Sequence, residues 1–181
     1  VQSKIAAIMG IEASEFIPKK AVVTCLGTCE NAVSRYDYSG IKSCQAADIV
    51  EGGPKGCSYG CIGFGSCIEA CENNAISIVN DLAYIDPGLC NGCGACVRKC
   101  PRDLIALKNE KNRIFVSCKS GDRGPIVKKY CSVGCIACGI CTKVCEFDAV
   151  HLENNVAAID FDKCTDCGMC ADKCPVKCII S

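Results

Sequence analysis

Two stretches of the chain alternate apolar and polar residues around a pair of turn-forming side chains. Ala75 to Asp86 reads AISIVNDLAYID with Asn80-Asp81 at its centre, and Ala149 to Asp160 reads AVHLENNVAAID around Asn154-Asn155. Alternation turns one face of a strand toward a core, and Asn and Asp tolerate the positive φ of a tight turn, so each stretch predicts a β-hairpin. Leu104 to Lys108 and Ile114 to Ser117 flank the polar Asn109 to Arg113 and predict a further hairpin between the two. The segments containing Cys71, Cys100, Cys145 and Cys174 are expected to start single-turn helices. No run approaches the roughly 18 apolar residues of a membrane-spanning helix, and no signal peptide is visible, so no membrane insertion is expected of this segment.

The hairpins sit inside a larger repeat. Cys57, Cys61, Cys67, Cys71, Cys90, Cys93, Cys96 and Cys100 recur 74 positions later as Cys131, Cys135, Cys141, Cys145, Cys164, Cys167, Cys170 and Cys174, without insertion or deletion, and Pro101 and Pro175 follow the last of each set. The 181 residues hold 22 cysteines, so a covalent or metal framework must carry part of the fold. Each repeat is too short to bury a large apolar core, and without that framework the chain should be largely unfolded. Twenty basic and 20 acidic residues give a formal charge of +0, which argues against a nucleic-acid partner. Val1 in place of methionine suggests a stretch cut from a longer polypeptide.

Disulfides, zinc and iron–sulfur clusters compete for these thiols. The spacing C-x2-C-x2-C-x3-C occurs from Cys90 to Cys100, Cys135 to Cys145 and Cys164 to Cys174. Four thiols so closely spaced suit convergence on one centre better than pairing with distant partners, and zinc ribbons use two separated pairs. The pattern is that of bacterial ferredoxins, in which three cysteines hold one [4Fe–4S] cubane and the fourth crosses to its neighbour. Gly60, Gly63, Gly65, Gly92, Gly94, Gly134, Gly139 and Gly168 fall where backbone amides must approach the cluster. The expected fold is α+β: two tandem ferredoxin-like 2[4Fe–4S] units at residues 57–107 and 131–181, joined by a connector at 108–130 and preceded by a cysteine-containing segment at 1–56.

The crossing rule predicts four ligand sets. Cys71 joins Cys90, Cys93 and Cys96; Cys100 joins Cys57, Cys61 and Cys67; Cys145 joins Cys164, Cys167 and Cys170; Cys174 joins Cys135, Cys138 and Cys141. Phe64 stands where the second repeat has Cys138, which makes Cys57 the natural third ligand of the first run. In the second repeat both Cys131 and Cys138 are candidates, and the commoner x2 spacing favours Cys138. Outside the sixteen lie Cys25, Cys29, Cys44, Cys118, Cys131 and Cys178. Cys178 aligns with Leu104 and reads as a small buried apolar residue. Val23-Thr24-Cys25 and Val116-Ser117-Cys118 look equivalent, with about 19 extra residues in the first copy. A fifth cluster from Cys25, Cys29 and Cys44 plus one more thiol is possible, but borrowing Cys57 would starve the first cubane.

His151, the single histidine, reads as an exposed strand residue, and the five tyrosines as packing groups over clusters. Gly52-Gly53-Pro54 is a turn too short for a phosphate loop. Residues 102–130 carry eight basic and three acidic side chains, a solvated connector or a docking face for an acidic redox partner. Glu72 and Glu146 follow Cys71 and Cys145 where proline commonly sits, and a nearby carboxylate should lower a cluster's potential.

TCLGTCENA in the segment before Cys57, the stretch from Tyr38 to Ala47, GGPKGCSYGC at Gly52 to Cys61, SCKSGDRG at Ser117 to Gly124 and VGCIACGIC at Val133 to Cys141 resemble the B subunit of the Rnf complex over essentially the whole chain. The resemblance implies electron transfer from soluble reduced ferredoxin through four [4Fe–4S] clusters to other subunits of a membrane-bound, Na⁺- or H⁺-translocating ferredoxin:NAD oxidoreductase, on the cytoplasmic face, with a membrane anchor upstream. The alternatives are a polyferredoxin or electron-entry subunit of a hydrogenase or another oxidoreductase, and an iron–sulfur redox or oxygen sensor. No acid, base or nucleophile points to catalysis by this segment itself.

Overall fold

The computed structural model describes residues 17–181; the first sixteen residues of the expected N-terminal segment lie outside it. Both expected hairpins form. Strand β2 (Ile76–Val79) pairs with β3 (Leu82–Ile85), and β6 (Val150–Glu153) with β7 (Val156–Ile159), all antiparallel. Asn80, Asp81, Asn154 and Asn155 all take positive φ, between 48° and 63°, as a turn matched to the strand twist requires. Ile76 and Ala83 face one core, Val150 and Ala157 the other.

The third expected hairpin does not form. Strand β4 (Ile105–Asn109) pairs instead with β1 (Lys19–Val23), and β5 (Phe115–Val116) pairs with β8 (Ile179–Ile180). The repeat explains the exchange: β1 and β5 lead into Cys25 and Cys118, while β4 and β8 each follow the last ladder cysteine and its proline. Each unit thus closes with a strand from upstream of its cysteine ladder, which buries Ala21 and Ile105 in the first and Ile114 and Ile179 in the second. Local alternation carried the turn signal but not the partner. The segment before Cys57 is accordingly stitched into the first unit, and residues 108–130 contribute β5 and helix α4 (Gly124–Tyr130) to the second.

The other helices are α1 (Cys44–Ile49), α2 (Ser66–Glu69), α3 (Ala95–Lys99), α5 (Ile140–Val144) and α6 (Met169–Asp172). Four of them hold Cys67, Cys96, Cys141 and Cys170, and they end at or just before Cys71, Cys100, Cys145 and Cys174. These helices therefore begin one ligand earlier than expected. Their N-caps are Gly65, Gly94, Gly139 and Gly168, with φ of 70° to 81°, a left-handed conformation that disfavours a Cβ. A Cβ on Gly92 would overlap the Lys19 carbonyl, so glycine there also lets β1 approach the ligand loop. Among the described residues, no helix is long and apolar enough to cross a membrane.

Candidate metal centres

All 22 cysteines are free thiols, and all but Cys29 line cavities rather than forming pairs. Three cavities bring together expected sets. Cys71, Cys90, Cys93 and Cys96 line one of about 300 Å³; Cys145, Cys164, Cys167 and Cys170 line one of about 310 Å³; Cys135, Cys138, Cys141 and Cys174 line a third, also about 310 Å³, which Cys178 lines as well. In each, the last cysteine of one run faces three from the other. The short helix that carries the third thiol turns the chain, and the hairpin returns it to the far side.

The fourth set differs from the expected one. A cavity of about 430 Å³ is lined by Cys61, Cys67 and Cys100 together with Cys44, not Cys57. Burial pushes the Cys67 thiol up to about 12, reinforced by Cys61, Cys44 and Cys100, so all three lie within electrostatic reach of it. Cys44 arrives on α1, whose N-cap Ser43 accepts a hydrogen bond from the Ala46 N–H. The Cys44 N–H donates to the buried Ser66 Oγ at 2.9 Å, and Gln45 Nε2 to the Lys99 carbonyl at 2.8 Å. Arg102, its side chain 5% exposed, donates from Nε to Asp48 Oδ1 at 2.8 Å and from its terminal nitrogens to the carbonyls of Gly52, Cys57 and Gly60. One guanidinium thus ties α1, the following turn and the ligand loop together.

Cys57 points into another cavity, which it lines with Cys25, Cys118 and Cys131. Cys131, the less favoured of the two candidates in the second repeat, does lie away from the Cys135 set. Cys29 is exposed and lines none of the five cavities. Cys44 was legible in principle: the extra residues of the first copy carry a cysteine, and that copy lacks one at Phe64. An inserted thiol beside a missing ligand was the unused signal.

The donor sets suit iron–sulfur cubanes. The linings are otherwise mostly apolar, and backbone amides aim at the sulfurs: Ala21 N–H donates to Cys90 Sγ, Ala75 N–H to Cys71 Sγ and Ala149 N–H to Cys145 Sγ, each at 3.4 Å. Such donors offset the negative charge of a thiolate-ligated cluster and tune its potential. Burial raises Cys96, Cys141 and Cys170, with Cys141 pushed up to about 11 and repelled by Cys135 and Cys138. Without metal these thiols hold their protons, and iron must displace them. Among the described residues no three Cys, His, Asp or Glu side chains close tightly enough for one metal ion; a cubane spreads its four thiolates around a larger core.

Cys178 adds a fifth sulfur to the lining of the Cys135 cavity. It is buried, lies 3.7 Å from Cys174 through its sulfur, and donates its S–H to Cys135, which holds the Cys135 thiol down at about 6. His151 is exposed and sits 2.9 Å from Glu153 Oε1, away from every thiol cavity. Of the tyrosines, Tyr59 lines a thiol cavity, and Tyr38 packs on Phe64 with centroids 5.3 Å apart.

Comparison with known proteins agrees. A 4Fe-4S dicluster domain matches residues 134–179 and a 4Fe-4S binding domain matches residues 83–106. The chain is 47% identical to the B subunit of the Na(+)-translocating ferredoxin:NAD(+) oxidoreductase complex of Acetobacterium woodii, over 97% of this chain and 53% of that protein. It is 44% identical to the B subunit of the proton-translocating ferredoxin:NAD(+) oxidoreductase complex of Clostridium ljungdahlii, over 100% of this chain and 66% of that one. The B subunit of the ion-translocating oxidoreductase complex of Methanosarcina acetivorans is 39% identical over 99% of this chain and 68% of its own length. The chain therefore spans between about half and two thirds of the relatives it matches.

Proposed function

This chain belongs to the B subunits of ion-translocating oxidoreductase (Rnf) complexes, and from that membership we propose that it carries electrons through low-potential [4Fe–4S] clusters between reduced ferredoxin and the other subunits of a membrane-bound ferredoxin:NAD oxidoreductase, on the cytoplasmic face. A bound [4Fe–4S] cluster supplies reversible one-electron chemistry, at about −400 mV in ferredoxins. The residues proposed to hold four such clusters are Cys44, Cys61, Cys67 and Cys100; Cys71, Cys90, Cys93 and Cys96; Cys135, Cys138, Cys141 and Cys174; and Cys145, Cys164, Cys167 and Cys170. In this reading the two cluster-binding units keep the cores set out from the sequence, 57–107 and 131–181, each with its upstream strand.

The single observation that carries the reading is the gathering of thiols around separate cavities, four in each of three and, around the last, the four of the Cys135 set with Cys178 beside them. The protein's part is to hold the ligands, aim amide N–H groups at their sulfurs and line the cages with apolar side chains that exclude water. Each of these limits the reorganisation that accompanies a change of charge. The basic stretch at 102–130, with Lys128 and Lys129 in the last turn of α4, supports docking of an acidic ferredoxin, steered by charge.

Anaerobic titration of the purified chain with reduced ferredoxin tests this. Reversible reduction with all iron retained is the expected result. Reduction that destroys clusters and switches binding to a partner points to a sensor and overturns it. The docking face is tested separately by ionic strength: the transfer rate should fall as salt rises, and a salt-independent rate removes that surface.

A further inference from the structure

The structure assigns a use to four cysteines that the four cubanes leave over. Cys25, Cys57, Cys118 and Cys131 line one cavity of about 450 Å³ between the two units, each unit giving two. The halves are related by the repeat. Cys57 and Cys131 are ladder equivalents, and Cys25 and Cys118 follow the equivalent strands β1 and β5.

Their hydrogen bonds repeat as well. The Cys61 N–H donates to Cys25 Sγ at 3.4 Å, and its equivalent Cys135 N–H donates to Cys118 Sγ at 3.3 Å. Gly27 N–H adds a second donor to Cys25 Sγ at 3.4 Å, and Ser120 N–H a second to Cys118. The amides of Tyr59 and Gly60 serve Cys57 as those of Val133 and Gly134 serve Cys131. Every one of the four sulfurs thus meets two backbone N–H groups. Thiols that merely fill a core as small apolar groups have no need of such donors. Backbone N–H donors to cysteine sulfur also mark the other cages, at Cys71, Cys90 and Cys145, and such donors suit thiolates bound to a cluster.

Charge points the same way. Lys55 lines the cavity while only 6% exposed, its Nζ held by the carbonyls of Gly27 at 2.7 Å and Asp81 at 2.6 Å. Two neutral carbonyls do not balance a buried ammonium, whereas a cluster with four thiolates carries about two negative charges. Backbone hydrogen bonds tie the two halves together beside the site: Val33 N–H donates to the Tyr130 carbonyl at 2.8 Å and Ser132 N–H to the Asn31 carbonyl at 2.9 Å.

We propose that Cys25, Cys57, Cys118 and Cys131 hold a fifth [4Fe–4S] cluster, shared by the two units. Through the Cys61 and Cys135 amides this site is contiguous with one cubane site in each unit, so it links the two pairs into one series. It differs from the fifth set weighed from sequence: Cys29 plays no part, and Cys44 belongs to the first unit's own cage. Cys57 starves no cubane, because Cys44 replaces it.

The inference rests on the cubane reading of the other cavities, and native mass spectrometry with iron and sulfide counting of the anaerobic chain separates the two. About twenty irons per chain, four per cubane, are expected. About sixteen overturns the fifth site and leaves the proposed function standing; an iron-free chain overturns both. The count on the unmodified chain does not depend on any variant folding. Location is tested by the double variant Cys118→Ala/Cys131→Ala, which should fall to about sixteen irons while Cys29→Ala keeps about twenty. A double variant that keeps its full iron complement overturns the assignment.

Discussion

The two units answer the same ligand problem differently. In the second, Cys135, Cys138 and Cys141 come from one compact run, and Cys174 closes the set. In the first, Phe64 replaces the middle thiol, packs on Tyr38, and leaves the cage to be completed by Cys44 from a helix 17 positions before Cys61. What the site demands is a sulfur at a place in space, and the chain can deliver it from the next turn or from an insertion. The insertion then needs its own anchor, which Arg102 provides. Val176 stands at the equivalent position of the second unit, where there is no insertion to hold.

The largest effect expected is common to both units. Stripping iron under anaerobic conditions should abolish cooperative thermal unfolding, because each apolar core consists of a few residues plus ligand cysteines. An apo chain with an undiminished calorimetric transition breaks the account for both halves at once.

The comparison itself is tested by exchanging ligands. Cys44→Ser should remove about four irons, as should Cys138→Ser, each from its own unit. Adding Phe64→Cys to Cys44→Ser gives the first unit the second unit's run and should restore much of the loss. If Cys44→Ser keeps the full iron count, the insertion is not the source of the ligand.

Smaller effects concern the supports. Arg102→Val transplants the second unit's residue and should destabilise the first unit by about 2 kcal/mol, since it leaves charged and carbonyl partners without their donor. Chemical denaturation followed by a first-unit signal measures it, and a neutral result means that α1 needs no clamp. Cys178→Leu makes the reverse transplant, from Leu104. It deletes an S–H donor to the Cys135 ligand and should lower that cubane's potential by tens of millivolts, on the order expected for hydrogen bonds to cluster sulfurs. Redox titration followed by EPR reads the shift; no shift, or a rise, contradicts the donor role. Glu72→Gln should raise the potential of the Cys71 cubane by less, because Glu72 is exposed and screened by solvent.

Much of this architecture is legible in the order of residues alone. The hairpins followed from alternation and their Asn and Asp turns, and three of the thiol groupings around cavities from spacing and the crossing rule, because both rest largely on local chain geometry. The rest was set by contacts between distant segments. The partners of β4 and β5 are strands 80 or more and about 60 residues away, and no periodicity within a strand encodes that choice. Cys57 illustrates the same limit: its spacing to Cys61 suited the first cage, yet its side chain faces the second unit. The helices begin one ligand early because the positive-φ glycine before Cys67, Cys96, Cys141 and Cys170 sets the turn, a cue read only as room for the cluster.

Mössbauer spectroscopy of iron-57-enriched, anaerobically purified chain is the decisive experiment for cubane binding, since it reports cluster type and ligation together. Essentially all iron is expected in tetrathiolate-ligated [4Fe–4S] centres that accept electrons without loss of metal. A folded chain that is colourless and iron-free, or that holds only zinc, contradicts it.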